Sequence, residues 1–337
     1  AYVELASDGI VYPYEGPVVA TKAAMSDLGF NDPLLADQWN YLNIGDRSVA
    51  TTAYAGGDIN IKDTWRQLTC GDPSIIVAVV DEGVEYSHPD LSPNMWINEA
   101  ERTGVTGKDD DGNGYVDDIY GYNFIDNTPE INFDRTDNDT GHGTHCAGII
   151  SAVNNNGIGV AGVAGGSGNG DGVKVMSCQI FSGPYGGTES VVSKAIKYAA
   201  DNGASIISCS FGQPGANYRG DDSYIKNNAA EMDAIRYFEK TKNNDVLDGG
   251  VVIFASGNAG DPYASYPGAI NDIICVSAFG PDYLPTYYTN YGPGCNIVAP
   301  GGEAYLPPWT SYKGMIVSTV PKKVAESGYG YMQGTSM

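Results

Sequence analysis

Basic residues are scarce: 18 Lys and Arg stand against 41 Asp and Glu, a formal net charge of -23. A surface of that sign repels polyanions, so nucleic acid is not expected as a partner. Long apolar runs are missing as well. The longest, residues 75–80 and 251–255, have the length of strands and fall far short of the roughly 18 apolar residues that a membrane span needs. The cysteines, Cys70, Cys146, Cys178, Cys209, Cys275 and Cys295, form no CxxC pair, which argues against zinc, iron–sulfur and thioredoxin-like sites. Cys178, Cys209 and Cys275 sit in apolar runs and read as packed thiols, whereas Cys70 and Cys295 lie beside Gly in turn-like sequence and are the better placed for bridging. Histidine is rarer still, with three in the chain. The first residue is Ala1, and no basic start followed by an apolar segment opens the numbering, so a signal peptide, if made, is expected to have been removed.

What is present is a chain of 337 residues with 42% hydrophobic content, ample for a buried core. Residues 1–30 lack periodicity and are expected to be an N-terminal extension or propeptide remnant; residues 31–337 read as one domain, opening on the turn Asn31-Asp32-Pro33. From Ser74 onward, apolar runs at 75–80, 173–180, 205–210, 251–255 and 273–278 have the character of buried strands. Between them, residues 190–202 place Val191, Val192, Ala195, Ile196 and Ala199 at helical spacing and stop at Gly203. Strands joined by helical crossovers imply an α/β, doubly wound, mainly parallel sheet with helices on both faces.

Ligands of such sheets bind beyond the carboxyl ends of the strands, so polar residues that follow apolar runs come first. Asp81 follows VAVV directly, His142 lies in GHGTH, and Ser336 lies in GTSM. A serine hydroxyl becomes a nucleophile when an imidazole takes its proton, and the imidazole needs a carboxylate to fix its tautomer. Singly, each residue has a plainer explanation: a helix cap, a glycine-flanked turn, a surface serine. Together, VVDEGVEYSHPDL, GHGTHCAGIISA, SIISCSFG, VVIFASGNAG and GTSM, in that order, resemble the subtilase family of serine proteases, in its secreted bacterial form, from about Asp32 to the end of the chain.

The resemblance implies Asp81 as the orienting carboxylate, His142 as general base and acid, Ser336 as the nucleophile of an acyl-enzyme, and Asn258 as oxyanion donor. His145 and His88 are read as structural. The resemblance also implies extended peptide binding at Ser210, Phe211 and Gly212, with Tyr185 and Gly186 on the opposite wall. Polypeptides are the expected substrates, and the chain's own propeptide or C-terminal remainder are further expected partners. Two departures stand out. Glu82 replaces the small hydroxyl residue usual after the family's Asp, and the sequence stops one residue after Ser336, where the family continues with a helix, so the C-terminal part of the fold is expected to be missing. The rival reading is a catalytically inactive, calcium-binding subtilase-like protein that binds peptides or acts as a scaffold.

The stretch DDDGNGYVDD places Asp109, Asp111 and Asn113 at alternate positions, with Tyr115 supplying a carbonyl and Asp118 or Asp117 closing the loop. Gly114 stands at the bend, and Tyr120 occupies the place of an EF-hand's final Glu. Five aspartates in ten residues repel one another unless a cation intervenes, so structural calcium is expected. Millimolar extracellular calcium in turn favours a secreted, cell-surface or periplasmic location.

Overall fold

Each apolar run becomes a strand whose ends lie within one residue of the run. The computed structural model describes residues 4–5, 10–16, 28–133, 140–183, 185–304 and 311–337. The central strands are β1 (Ile76–Asp81), β2 (Gly121–Asn123), β3 (Lys174–Gln179), β4 (Ile206–Cys209), β5 (Val251–Ala255), β6 (Ile274–Phe279) and β7 (Ile297–Pro300). They form one sheet in the order β7-β6-β5-β4-β1-β3-β2, with every neighbouring pair parallel. From β1 the chain runs to the edge strand β2, returns through β3 beside β1, and crosses to β4 on the other side, from which it continues to the far edge; the order reverses about β1, and such sheets carry their sites at such a switch point.

The two faces are covered by different helices. Ala78 and Val80 of β1 face α2 (Glu189–Asp201) and α3 (Ala229–Lys240), joining Val192, Ile196, Ile235 and Phe238 in one cluster. Val79, between them, turns to the other face, where it meets Cys146 and Ala147 of α1 (His142–Ser151). This period-two alternation, with both sets fully buried, is what a strand sandwiched between helices requires. Each fully buried valine contributes about 1.5–3 kcal/mol of apolar burial.

A smaller antiparallel sheet, absent from the sequence reading, joins Ile316–Thr319, Tyr329–Met332 and Tyr12–Pro13. It packs under α1. Residues 28–41 are tied into the body: Gln38 Nε2 donates to Ala161 O at 2.8 Å, Ala161 N–H returns to Gln38 Oε1 at 2.9 Å, and Trp39 Nε1 donates to Met315 O at 3.2 Å.

Candidate active site

Asp81 is the last residue of β1 and His142 the first of α1, so the switch point and a helix start bring them together. Their approach needs a glycine. A Cβ at position 143 would stand 2.2 Å from Glu82 O, so only glycine lets α1 pack this close to the chain leaving β1. His142 Nδ1 lies 2.6 Å from Asp81 Oδ1, and both side chains are fully buried. Burial pulls the imidazole down, but the neighbouring Asp81 carboxylate outweighs it, with help from the Cys146 thiol, and holds His142 well above its ordinary 6.5. The same Asp81 oxygen accepts Glu82 N–H at 2.7 Å, while Asp81 Oδ2 and His142 Nε2 are buried without a hydrogen-bond partner among the described residues. Glu82 turns to α1: its Oε2 accepts His142 N–H at 2.9 Å and Thr140 Oγ1 at 3.2 Å.

Ser336 reaches the same region from the far end of the chain. Its hydroxyl donates to Ser210 O at 3.1 Å rather than to the imidazole, and Ser210 Oγ donates to Ser336 O at 3.3 Å. Cys146 lies between the parts, its sulfur 3.9 Å from His142 Nδ1, 3.6 Å from Ser210 Oγ and 3.8 Å from Ser336 O. A cavity of about 160 Å³ lies alongside, with Cys146, Ser210 and Ser336 on its wall. Asn258, three residues past β5, is joined to the serine segment: its Oδ1 accepts Thr335 N–H and Thr335 Oγ1, both at 2.9 Å. With the oxygen so engaged, the amide NH₂ is the end left for a ligand.

Phe211–Gly212 is a two-residue strand, and the backbone of Glu4–Leu5 pairs with it antiparallel. The Phe211 side chain is fully buried, ring to ring with Phe181 and Phe254 at 5.9 and 5.4 Å. Tyr185–Gly186 pairs antiparallel with Phe181–Ser182.

In the acidic loop, Asp111 and Asp118 come together with Glu101, one carboxylate oxygen of each lying within 4.8 Å of the others. Asn113 Nδ2 donates to Asp111 Oδ2 at 3.1 Å and to Asp118 Oδ2 at 3.0 Å. Burial pushes Asp118 up to about 6, and the neighbouring Asp111 carboxylate adds to the rise. The two oxygens of Asp109 accept Gly112 N–H at 2.7 Å and Gly114 N–H at 2.9 Å. The Tyr115 ring packs on Tyr122 and Tyr198, at 4.7 and 4.9 Å.

Sequence reasoning missed Glu101, Cys146 and the capping role of Glu82. Glu101 lies eight residues before the loop, outside any fixed ligand spacing; Cys146, one turn beyond His142 on α1, could have been found from the i, i+4 rule. His145 is structural: its Nε2 meets Ile316 O at 3.0 Å and Gly330 O at 3.2 Å, fastening α1 to the small sheet. His88 Nε2 meets Gly328 O at 2.9 Å, and its Nδ1 accepts Asp90 N–H at 3.1 Å.

With this geometry in hand, similarity to known proteins becomes informative. The sequence profile of the subtilase family matches residues 72–337. Thermitase of Thermoactinomyces vulgaris is 30% identical over 77% of this chain and 69% of its own length. Halolysin of Haloferax mediterranei is 32% identical over 77% of this chain and 40% of its own length. Subtilisin-like protease 1 of Plasmodium berghei is 32% identical over 64% of this chain, which spans 31% of that protein. Among solved structures, a protease of Pseudoalteromonas arctica PAMC 21717 superposes with a TM-score of 0.63 at 26% identity, covering 91% of this chain and 82% of that one. The serine protease of Aeromonas sobria, solved as a complex with a chaperone, shares the fold at a TM-score of 0.67 and 20% identity over 95% of this chain and 56% of that one.

Proposed function

This chain belongs to the subtilase family, and we propose that it works as a serine endopeptidase through Asp81, His142, Ser336 and Asn258. The observation that carries the reading is the buried 2.6 Å contact of His142 Nδ1 with Asp81, which leaves Nε2 without a hydrogen-bond partner among the described residues. In the proposed reaction the Ser336 hydroxyl leaves Ser210 O and turns to Nε2. Its oxygen attacks the peptide carbonyl as the proton passes to His142, and Asp81 stabilises the imidazolium. The Asn258 amide and the Ser336 N–H hold the developing oxyanion. His142 then protonates the leaving amine, and water repeats the sequence on the acyl-enzyme.

An extended polypeptide is the substrate class that fits. The main chain of Phe211–Gly212 already takes an added strand from Glu4–Leu5, and Tyr185–Gly186 would form the facing wall. The same edges would receive a propeptide. The oxygen-rich trio Glu101, Asp111 and Asp118, with Asn113, suits a hard cation such as calcium, which would neutralise the crowding around Asp118 and brace the loop structurally. Asp109 and the Tyr115 carbonyl complete the proposed loop set. Calcium of this kind belongs with a secreted or cell-surface location, and among the described residues no helix is long and apolar enough to cross a membrane.

A fluorophosphonate probe tests the reading. Covalent labelling of Ser336 in calcium-loaded protein, lost in Ser336→Ala, is the expected result. A folded, calcium-loaded sample that takes no label would leave a calcium-binding, peptide-binding protein without peptidase chemistry.

A further inference from the structure

The loop from Asn290 to Cys295 runs beneath the segment that carries Asn258. Asn290 Oδ1 accepts the N–H groups of Ala259 and Asp261, each at 3.0 Å, and its Nδ2 donates to Ser256 O at 2.9 Å. The chain then turns tightly, with Cys295 N–H returning to Gly292 O at 3.1 Å, and enters β7. Since Val276 of β6 lies opposite Ile297, Cys275 stands opposite Asn296. The two residues clasp each other: Cys275 N–H donates to Asn296 Oδ1 at 2.9 Å, and Asn296 N–H donates to Cys275 O at 3.2 Å.

A strand spacing of about 4.8 Å combined with a one-residue step of about 3.3 Å puts the Cα atoms of Cys275 and Cys295 roughly 6 Å apart, the usual span of a disulfide. Each thiol is the chief influence on the other's titration, with Cys275 raised and Cys295 lowered, and Cys295 Sγ donates to Asn290 O at 3.6 Å. Cys275 is fully buried, and a Cβ on Gly268 would come within 3.0 Å of its sulfur, so the glycine keeps room for it. The remaining cysteines lack such a match. Cys178 and Cys209 lie opposite Val80 on its two sides, two strand spacings or about 9.6 Å apart and beyond bridging. Cys146 faces His142 and Ser210, and Cys70 donates to Trp65 O.

We propose that Cys275 and Cys295 are a redox pair that closes to a disulfide on meeting a small-molecule disulfide, tying the loop that supports residues 256–261 to β6. Cys295 attacks first. It is the partly exposed member, and the neighbouring Cys275 lowers its thiol to about 6. Its thiolate displaces one thiolate from RS–SR and forms a mixed disulfide. Cys275 then gives up its proton, attacks the Cys295 sulfur and expels the second thiolate. Two cysteine thiols are oxidised by two electrons, and one RS–SR is reduced to two RSH.

The inference is independent of the peptidase reading, and so is its test. The protein is incubated with excess oxidised glutathione, its remaining thiols are alkylated in denaturant, and the digest is mapped by mass spectrometry without reduction. The expected result is one Cys275–Cys295 cross-linked peptide, with Cys70, Cys146, Cys178 and Cys209 alkylated. Dithiothreitol should then lower Tm by several degrees in the oxidised protein and leave Cys295→Ser unmoved. Six alkylated cysteines, or a cross-link between any other pair, would overturn the proposal, and the wild-type map decides even where a variant fails to fold.

Discussion

The Glu82 carboxylate holds the backbone N–H of His142 at 2.9 Å, so the residue that follows Asp81 anchors the residue that pairs with Asp81. A carboxylate at a helix start also suits the positive end of the α1 dipole. A hydrogen bond to a charged group is worth about 1.5–3 kcal/mol, which corresponds to roughly 10–100-fold if expressed wholly in the transition state. Glu82→Ala should therefore lower kcat/KM on a peptide substrate by that factor. Glu82→Gln, which keeps an acceptor, should lose less than about tenfold. Equal losses in the two variants would assign the effect to charge instead.

The pH profile follows from His142. The imidazole must be neutral at Nε2 to accept a proton, and its neighbours hold it well above 6.5. The acid limb of kcat/KM should accordingly lie above pH 6.5, with activity rising as pH passes through it. Asp81→Asn removes the charge that holds the imidazole up, and activity should fall by roughly four orders of magnitude, as for loss of the orienting carboxylate in such triads. A limb at or below pH 6.5 in the parent protein contradicts the assignment.

Stability in acid should respond to the other two histidines. Burial lowers His88 to about 4 and His145 to about 3. Both are neutral in the folded chain and would take protons near 6.5 when unfolded, so the stability they contribute is intact above 6.5 and is lost as pH falls toward 4 and 3. For His88 the loss by pH 4 is about 3 kcal/mol. Urea midpoints from pH 7 to pH 4 should fall less steeply in His88→Gln than in the parent, whereas parallel curves would count against it.

Calcium is expected to act through the Glu101, Asp111 and Asp118 trio. A cation at about a hundred times its Kd adds about 2.7 kcal/mol of stability. A chelator should lower Tm, and Asp111→Ala should make Tm insensitive to the chelator. Retained sensitivity in that variant would move the cation elsewhere.

Asn258→Ala tests the oxyanion assignment. The loss of one such donor costs about 2.7–4 kcal/mol, or roughly 10²–10³ in kcat, with KM little changed. A variant with normal kcat would return Asn258 to a purely structural role, holding Thr335.

Much of this framework was legible because apolar runs dictate buried strands and the strand ends dictate where polar residues gather. Asp81 and Asn258 follow the two clearest runs, and the residues of α2 keep helical spacing. β2 and β7 were not legible. β2 has only three residues, and Ile297 and Val298 of β7 are exposed at 56% and 52%, so neither carries the signature of a buried strand. Long-range partners escaped for a different reason. Glu101 joins Asp111 and Asp118 through folding, not through spacing, and the short helix Glu99–Thr103 carries no loop motif. Cys295 stood out by its turn-like setting, yet its neighbour Cys275 read only as a packed thiol, since the meeting of the two depends on the register of β6 and β7.

Phe211 is fully buried, its ring packed on Phe254 in the core and its backbone paired with Leu5. On the proposed reading, a visiting chain paired to that backbone would be gripped by direction and extension and not by the identity of the residue it lays there. Any taste for particular sequences would then come from the recesses flanking that strip, which could be remodelled without disturbing how the guest is threaded.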